Sequence, residues 1–411
     1  MGRGSIPELS RAAWLVLAGD ALSAVGSGLT LPFLIVYLHA VRGFGLGTAG
    51  LVLASVAAAS LVGNPLAGVL CDRFSARLTV VMGLGVAAVG SIALAWVYQP
   101  WQAFAAAATV GLGVSIVWPA QDALLAELVG PDRRSAVFSV RHLTLNAGLG
   151  AGALLAAVVV DVQHPGTFSA LYVIDGLSFA AFAPLVLAVV PRREARARVA
   201  AGAAGGGGYR AVLADRRMVW VIALSAVVVT ISYGQFHSAF PAWATRPGAI
   251  SPRALSLAFA ANTLTVVLVQ LPVLRALRGR RRTSCLALAC AGFAATWLVT
   301  LAAGSLGGGV AAAVGLSAAM VLFGVSETAL TPTLPALVND LATDELRGRY
   351  NGASTLAWTT GFLVGPALAG AALSSPLGGG WFVVLVVLAG LGALASIALG
   401  RRLPAAVNVV S

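Results

Sequence analysis

Long apolar stretches alternate with short charged breaks along most of this chain. An α-helix rises about 1.5 Å per residue, so roughly 20 apolar residues cross the ~30 Å hydrocarbon core of a membrane. The stretches reach that length and are uniformly apolar, unlike the ~10-residue alternating segments of a β-barrel. Lipid cannot satisfy open backbone groups, which favours helices. The pattern therefore predicts an all-α membrane protein.

The apolar stretches predict twelve transmembrane helices, numbered α1 to α12 in chain order. They cover residues 12–38, 45–69, 78–97, 101–129, 135–160, 167–190, 218–243, 254–274, 284–303, 309–338, 350–373 and 380–400. The largest break is rich in arginine and glycine, a composition typical of a flexible linker. We predict two six-helix bundles, residues 1–191 and 218–411, joined by a cytoplasmic linker at 192–217.

Composition and charge support the membrane prediction. The chain is 59% hydrophobic and 10% charged, against about 25% charged residues in ordinary globular domains. The net charge of +12 comes from arginines that punctuate the apolar stretches, so it does not form the continuous basic face of a nucleic-acid-binding protein. With both termini inside, 22 arginines lie on the cytoplasmic side and three outside. This bias predicts that both termini are cytoplasmic.

Motifs for other chemistry do not occur in the sequence. The three cysteines fit neither a disulfide framework nor a metal-binding spacing. The glycine run 205–208 lacks the Lys-Ser/Thr of a phosphate-binding loop. We find no nucleophile–base set. The sequence predicts that the chain is not an enzyme and uses no metal or bound cofactor.

The two halves share an ordered set of residues. A glycine, a proline, an acid and an arginine recur with a constant offset of 213 positions. The two sets are Gly111, Pro119, Glu127 and Arg134, and Gly324, Pro332, Asp340 and Arg347. After a two-residue insertion, Arg134, Asn146 and Gly150 align with Arg349, Gly361 and Gly365. Parallel repeats of this kind are common in transporters, so we predict a pseudo-twofold 6+6 fold.

The charged turn between α2 and α3 carries Gly68, Asp72, Arg73 and Arg77. With this turn, the chain resembles the major facilitator superfamily over essentially its whole length, and it is most similar to the bacterial drug-exporter branch. The turn matches the loop signature of that superfamily, although Ser75 or Ala76 stands where the family usually has a glycine. The second-half counterpart, residues 275–282, has five arginines and no aspartate.

The resemblance implies that this turn is a conformational latch. Asp72 would dock at the start of α11, where the positive end of a helix dipole stabilises an anion. Arg77 would bridge Asp72 and Glu127, and the network would hold the two halves together in the outward-open state. The alternative is that Arg73 and Arg77 act only as topology charges.

A second signature lies in α11 and resembles the glycine motif of antiporters. Its residues are Gly352, Gly361, Gly365, Pro366 and Gly370. In that family the motif normally lies in α5, where this chain keeps only glycines 148, 150 and 152. The helix 4 arginine of similar exporters is also missing here. Small residues let helix backbones approach closely, so we expect a packing role, with a proline hinge as the second possibility.

Ionisable residues within the predicted spans are the main candidates for function, because a charge in the hydrocarbon core is costly unless it is paired or hydrated. Asp20, Asp122 and Arg141 lie at a similar depth from the cytoplasmic side. We predict that they form one cluster, coupling transport to protons or serving only as a structural ion pair. For Asp175 in α6 the sequence favours a structural role.

Glu327 lies near the middle of α10 and has no basic residue at helical spacing. It is a candidate to carry a proton or to bind a cationic ligand. The alternative is a protonated acid that only hydrogen-bonds a neighbouring helix. Other candidates to line a substrate cavity are Phe33, Asn146, Tyr233, Gln235, His237 and Asn262.

A mostly apolar cavity with scattered aromatic residues suits amphiphilic, weakly cationic or neutral compounds. The leading prediction is a secondary active exporter of drug-like or natural-product molecules, driven by the proton gradient through rocker-switch alternating access. The alternatives are an importer or facilitator of a small polar nutrient such as a sugar or amino acid, and a membrane scaffold or receptor that transports nothing. We expect a monomer in contact with lipid and a small-molecule substrate.

Overall fold

The computed structural model describes residues 9–129, 133–191, 209–246, 250–343, 346–404 and 407–410. Within these residues, twelve helices are long and apolar enough to cross a membrane. From α1 to α12 they are Arg11–Val41, Leu46–Arg73, Ala76–Leu94, Pro100–Leu128, Arg134–Val159, Pro165–Val189, Arg216–Ala244, Pro252–Leu277, Arg282–Gly304, Gly309–Leu341, Arg347–Leu373 and Gly380–Gly400. The predicted all-α fold with about twelve spanning helices is confirmed, and most ends agree within a few residues.

Prolines and capping side chains set where several helices begin. Pro100, Pro165 and Pro252 occupy the first turns of α4, α6 and α8, where the missing N–H has no intrahelical partner to lose. The Ser10 hydroxyl accepts from the backbone at the start of α1. The Asp215 carboxylate does the same for α7. These side chains satisfy backbone donors that would otherwise be unpaired at a helix start.

Two corresponding helices of the halves, α1 and α7, are interrupted. In α1 the regular helix ends at Thr30 and is followed by a 3₁₀ turn at Leu31–Phe33, centred on a proline. In α7 the regular helix ends at Ile231, and Ser232 takes φ −106° and ψ −92° before the helix resumes. Proline removes a helical hydrogen bond, which accounts for the break in α1. Hydropathy predicts both spans but not their interruptions.

The described residues fall into two compact units, one within 1–32 and 55–199 and the other within 33–54 and 200–411. In the first unit α1 packs on α5 and α6, and α3 packs on α4 and α6. In the second unit α7 packs on α11, α8 on α10, and α9 on α10 and α12. The pairs α1–α5 and α7–α11 correspond under the predicted repeat, as do α3–α4 and α9–α10.

The units follow packing, whereas the predicted domains follow chain order, and the two differ at residues 33–54. This segment holds the end of α1 and the first turns of α2. It belongs to the second unit because Gly50 lies against α11, where an added Cβ would be 3.0 Å from the Cα of Gly370. The predicted linker, 192–217, lies outside the described residues as far as 208. Its end holds a short helix, Tyr209–Ala214.

Residues 407–410, here called the tail strand, pair with the turn between α8 and α9. The Gly279 amide donates to the Val410 carbonyl at 2.9 Å, and the Arg282 amide donates to the Asn408 carbonyl at 2.8 Å. Gly279 has φ +73°, which a glycine adopts without steric cost. The tail strand thus joins the turn that corresponds to the α2–α3 turn of the first half.

Candidate functional site

The first unit contains a buried polar cluster around Arg141 of α5. Its Nε lies 3.0 Å from Asp20 Oδ2, and its NH1 bonds Asp122 Oδ1. Its NH2 donates to Gln121 Oε1 at 3.3 Å, and the guanidinium carbon lies 5.3 Å from the Trp118 ring centre. Arg141 and Asp20 are buried, whereas the Asp122 side chain is 49% exposed. The structure thus brings together the three residues that the sequence placed at one depth.

The charge balance of this cluster defines its chemistry. One guanidinium faces two carboxyls, so full ionisation leaves one net negative charge in a medium where isolated charges are costly. A single proton on either carboxyl makes the cluster neutral. The part of the Asp122 side chain that protein leaves uncovered is where a proton could enter or leave the cluster. Gln121 and Trp118 were missed by the sequence analysis, although both lie within one turn of Asp122.

The second unit holds a different acidic site, centred on Glu327 of α10. The Glu327 carboxyl faces the side chains of Tyr233 and Asn262 and interacts with both. Asn262, on α8, comes close because Gly324 has no side chain: a Cβ there would lie 3.1 Å from the Asn262 carbonyl. Gly324 is one turn before Glu327. The glycine that identified the repeat therefore allows α8 to reach the half-buried acid.

The break in α7 positions Tyr233. The helix ends at Ile231 and restarts at Tyr233, so this tyrosine opens the new segment Tyr233–Phe236. The Gln235 side-chain amide donates to the Thr230 carbonyl at 2.8 Å, which satisfies one of the acceptors at the break. Discontinuous membrane helices place polar groups at mid-membrane depth without leaving backbone unsatisfied.

Aromatic rings from three helices pack around Tyr233, which faces Glu327. The Tyr233 ring lies 5.9 Å from that of Phe323, 5.4 Å from Trp358 and 6.1 Å from Phe362. Phe236 adds a further contact with Phe323 at 4.7 Å. We call these five residues the aromatic cluster. Of these residues, Tyr233 was predicted from the sequence to line a cavity. The rings of Phe323, Trp358 and Phe362 were not, because their directions depend on how α10 and α11 are rotated.

The remaining predicted cavity residues have diverse surroundings. Gln235 is fully buried: its amide donates to the Gly365 carbonyl at 3.1 Å and its oxygen accepts from Trp381 Nε1 at 2.9 Å. Within the described part of the chain, His237 Nδ1 is buried with no hydrogen-bond partner. Phe33 is buried in the second unit. Asn146 donates to the His142 carbonyl one turn earlier in α5.

The α2–α3 turn exposes most of its signature residues. Gly68, Asp72 and Arg73 are exposed at the end of α2. Arg77 donates to the Leu187 carbonyl of α6 at 2.5 Å and lines a small cavity together with Glu127. In the second half, Arg282 pairs with Asp340. Asp340 is the repeat counterpart of Glu127, so that half keeps a basic and an acidic residue at the corresponding helix ends.

Ser75 explains why the corresponding signature position usually holds a glycine. Its φ of +141° lies in the region that favours glycine, and no other non-glycine residue in the described ranges has a positive φ. The Ser75 hydroxyl accepts from the Leu78 amide at 3.3 Å and caps α3. Of the two positions that the sequence left open, Ser75 is the one with glycine-like geometry.

The α11 glycines form a close contact with α7. A Cβ added at Gly361 would lie 2.6 Å from the Val229 Cβ, and one at Gly365 would lie 2.6 Å from the Gly234 Cα. In the first unit, a Cβ at Gly148 of α5 would lie 2.6 Å from the Ala21 carbonyl of α1. The remaining motif residues, Gly352, Pro366 and Gly370, lie along the same helix. The α11 motif occupies the packing position that α5 has in the first unit.

Comparisons with known proteins agree with this arrangement. A sequence model of the Major Facilitator Superfamily matches residues 16–249 and 222–409. The MFS-type transporter YqjV of Bacillus subtilis is 24% identical over 364 residues, covering 87% of this chain and 85% of that protein. The multidrug resistance protein MdtH of Klebsiella pneumoniae is 35% identical over 88 residues, 21% and 22% of the two chains. The crystal structure of the nucleoside transporter NupG has a TM-score of 0.77 at 14% identity, covering 96% of this chain and 100% of that one.

Proposed function

Because this chain belongs to the Major Facilitator Superfamily, a family of transporters, we propose that it exports drug-like or natural-product molecules in exchange for protons. Membership makes the chain a multi-pass membrane transporter and not an enzyme. The direction of transport, the substrate class and the proton coupling are the proposal. It includes a bacterial inner-membrane location with both termini cytoplasmic, which reporter fusions at the two ends would test.

One observation carries the substrate class: the Glu327 carboxyl interacts with Tyr233 of the aromatic cluster and with Asn262. A carboxyl next to aromatic faces suits a flat, apolar cation, since rings attract cations and stack on aromatic compounds. A polar nutrient would need several more hydrogen-bonding groups than this site offers. The partial likeness to a multidrug resistance protein supports the same substrate class.

Two acidic sites support proton coupling. In the first unit, Asp20 and Asp122 share one arginine, so one proton neutralises the cluster. In the second unit, the contacts described for Glu327 are neutral groups. A cationic substrate and a proton would compete for that carboxyl, which gives exchange without a bound cofactor.

Ethidium, a flat aromatic cation, is a suitable probe. We expect inside-out vesicles from a pump-deficient host to accumulate ethidium when their interior is acidified, and to lose it when an ionophore collapses the gradient. Glu327→Gln removes the exchangeable charge and lowers the initial rate at least tenfold. Asp161→Asn, which alters a carboxyl in the turn after α5, keeps the wild-type rate. Ethidium fluorescence measures both.

The importer alternative predicts a different result. If wild-type vesicles did not accumulate ethidium, and intact cells took up one polar solute with saturable kinetics, the export proposal would be wrong. If ethidium transport were equally fast with and without the gradient, and equally fast in Glu327→Gln, the export proposal would stand. The proposed coupling to protons would then be wrong.

A further inference from the structure

Asp175 of α6 lies near mid-span and is enclosed by hydroxyl groups from two neighbouring helices. It is 4% exposed. The Ser91 hydroxyl of α3 lies 2.7 Å from Oδ2, and the Thr30 hydroxyl of α1 lies 3.4 Å from the same oxygen. The Ser27 hydroxyl lies 3.3 Å from Oδ1. The acid thus joins α1, α3 and α6, and it belongs to neither of the acidic sites described above.

The number of available protons decides the ionisation state of this site. Ser91 also contacts the Tyr172 carbonyl at 3.1 Å, and Thr30 also contacts the Ser27 carbonyl at 3.3 Å. The three hydroxyls therefore make five oxygen–oxygen contacts but supply only three protons. With a carboxylate, the Ser91–Tyr172 contact would have no hydrogen between two acceptors. A proton on Oδ2 resolves this, since Asp175 donates to Ser91 and Ser91 donates to Tyr172.

No positive charge compensates Asp175 in the described residues. Its side-chain contacts there are the three hydroxyls. The charged groups on the helices packed against it are engaged elsewhere: Asp20 of α1 pairs with Arg141, and Arg77 of α3 donates to the Leu187 carbonyl. Arg11 lies at the far end of α1. A buried carboxylate without a cation is costly, so the surroundings favour the neutral acid.

The site adjoins the break in α1. Thr30 is the last residue of the regular helix, and the 3₁₀ turn begins at Leu31. The packing is tight, since a Cβ added at Gly26 would lie 2.9 Å from Asp175 Oδ1. A change of winding at the break would move the Thr30 hydroxyl and open this enclosure to water.

We propose that Asp175 is a proton-exchange site, occupied in the conformation described here and emptied when α1 rewinds at its break. On release, the carboxyl O–H bond breaks, the proton passes to water and the carboxylate remains. The hydroxyls of Ser91 and Thr30 then turn from the backbone carbonyls to Oδ2. The proposal rests on the proton-coupled transport proposed above and adds a site to it.

Infrared spectroscopy of the whole protein in lipid tests the proton directly. We expect the C=O stretch of a buried carboxylic acid, shifted by D₂O and reversibly lost as pH is raised. We expect Asp175→Asn to remove one component of this absorption. The Asp20→Asn and Glu327→Gln variants should retain that component. Asparagine should fold well here, because its amide donates to Ser91 as the protonated acid does. A spectrum unchanged by Asp175→Asn, or one that never titrates, would overturn the proposal. If adding NaCl, but not choline chloride, removed the absorption of the protonated Asp175, the site would instead be a monovalent-cation site.

Transport separates a coupling role from a structural one. We expect Asp175→Asn to lower gradient-driven ethidium accumulation at least tenfold while keeping ethidium exchange without a gradient. Equal loss of both activities, or of neither, contradicts the proposal. If the wild type itself shows no gradient-driven transport, the proposed function fails, and the infrared titration alone decides whether Asp175 exchanges a proton.

Discussion

At the scale of single residues, three buried or partly buried carboxyls have three kinds of polar partner. Among the described residues, Asp20 faces a guanidinium, Glu327 a phenol and an amide, and Asp175 three hydroxyls. The sequence could predict that Asp20 and Arg141 meet, because depth follows directly from the helical rise. It could not predict the hydroxyls around Asp175. Serines and threonines are frequent in such helices and carry no charge that would single out these three.

Arg141 should be the main stabilising residue of its cluster. Arg141→Met leaves two carboxyls without a cation, one of them in a buried pair, and such a loss costs about 3–5 kcal/mol. We expect the free energy of unfolding, measured by denaturant titration in detergent, to fall by that amount. Adding Asp20→Asn should restore part of it.

The matched control is the exposed pair of His164 and Asp161, in which the histidine side chain is 75% exposed. His164→Ala should change stability by less than about 1 kcal/mol, as expected for surface pairs. A loss for Arg141→Met no larger than that of the control would show that the cluster does not hold the bundle together.

At the scale of helices, hydropathy predicted which segments span but not how they are wound. Hydropathy averaged over a span does not show the breaks at Leu31–Phe33 and Ser232, because each span stays apolar enough to cross the membrane despite the polar residues beside its break. Pro32 is the one local signal, and the break at Ser232 has no proline beside it. The α11 glycines were recognised from their spacing, and the structure supplies their physical reason: the backbones of α7 and α11 touch.

The close contact between α7 and α11 predicts that a larger side chain at Gly365 destabilises the protein. At Gly365, alanine would place its Cβ 2.6 Å from the Gly234 Cα, so the two backbones must separate. Overpacking of this kind costs about 1–3 kcal/mol. We expect Gly365→Ala to lower the thermal unfolding temperature. Gly390→Ala in α12 is the control, because an added Cβ there meets nothing within 4 Å. Equal behaviour of the two variants would mean that the glycine spacing has no packing role.

At the scale of the whole molecule, the repeat could be recognised from the sequence. The matching residues lie at helix ends and at close helix crossings, where few residue types fit. Gly324 and the acids Glu127 and Asp340 are such positions. The aromatic cluster was not readable, since it combines rings from α7, α10 and α11 whose rotation only packing fixes. Sequence therefore predicted the architecture better than the candidate site.

The latch remains a prediction about the whole transport cycle. Asp72 is exposed, so Asp72→Asn should leave expression and thermal stability nearly unchanged. Transport should fall at least tenfold, because the neutral amide no longer stabilises one conformation at a helix terminus. Fluorescence-detected gel filtration and ethidium efflux measure the two effects, with Asp161→Asn as the control. Normal efflux by Asp72→Asn would mean that the turn acts only as a topology signal.

The tail strand gives the second unit a built-in reporter. The amides of Gly279, Arg282 and Val410 are bonded to backbone carbonyls across the pairing of the tail strand with the α8–α9 turn. Such amides exchange with deuterium only when the pairing opens. Isotope uptake at these few positions, followed by mass spectrometry, would therefore record how often this end of the bundle changes shape, in the native chain and without any attached label.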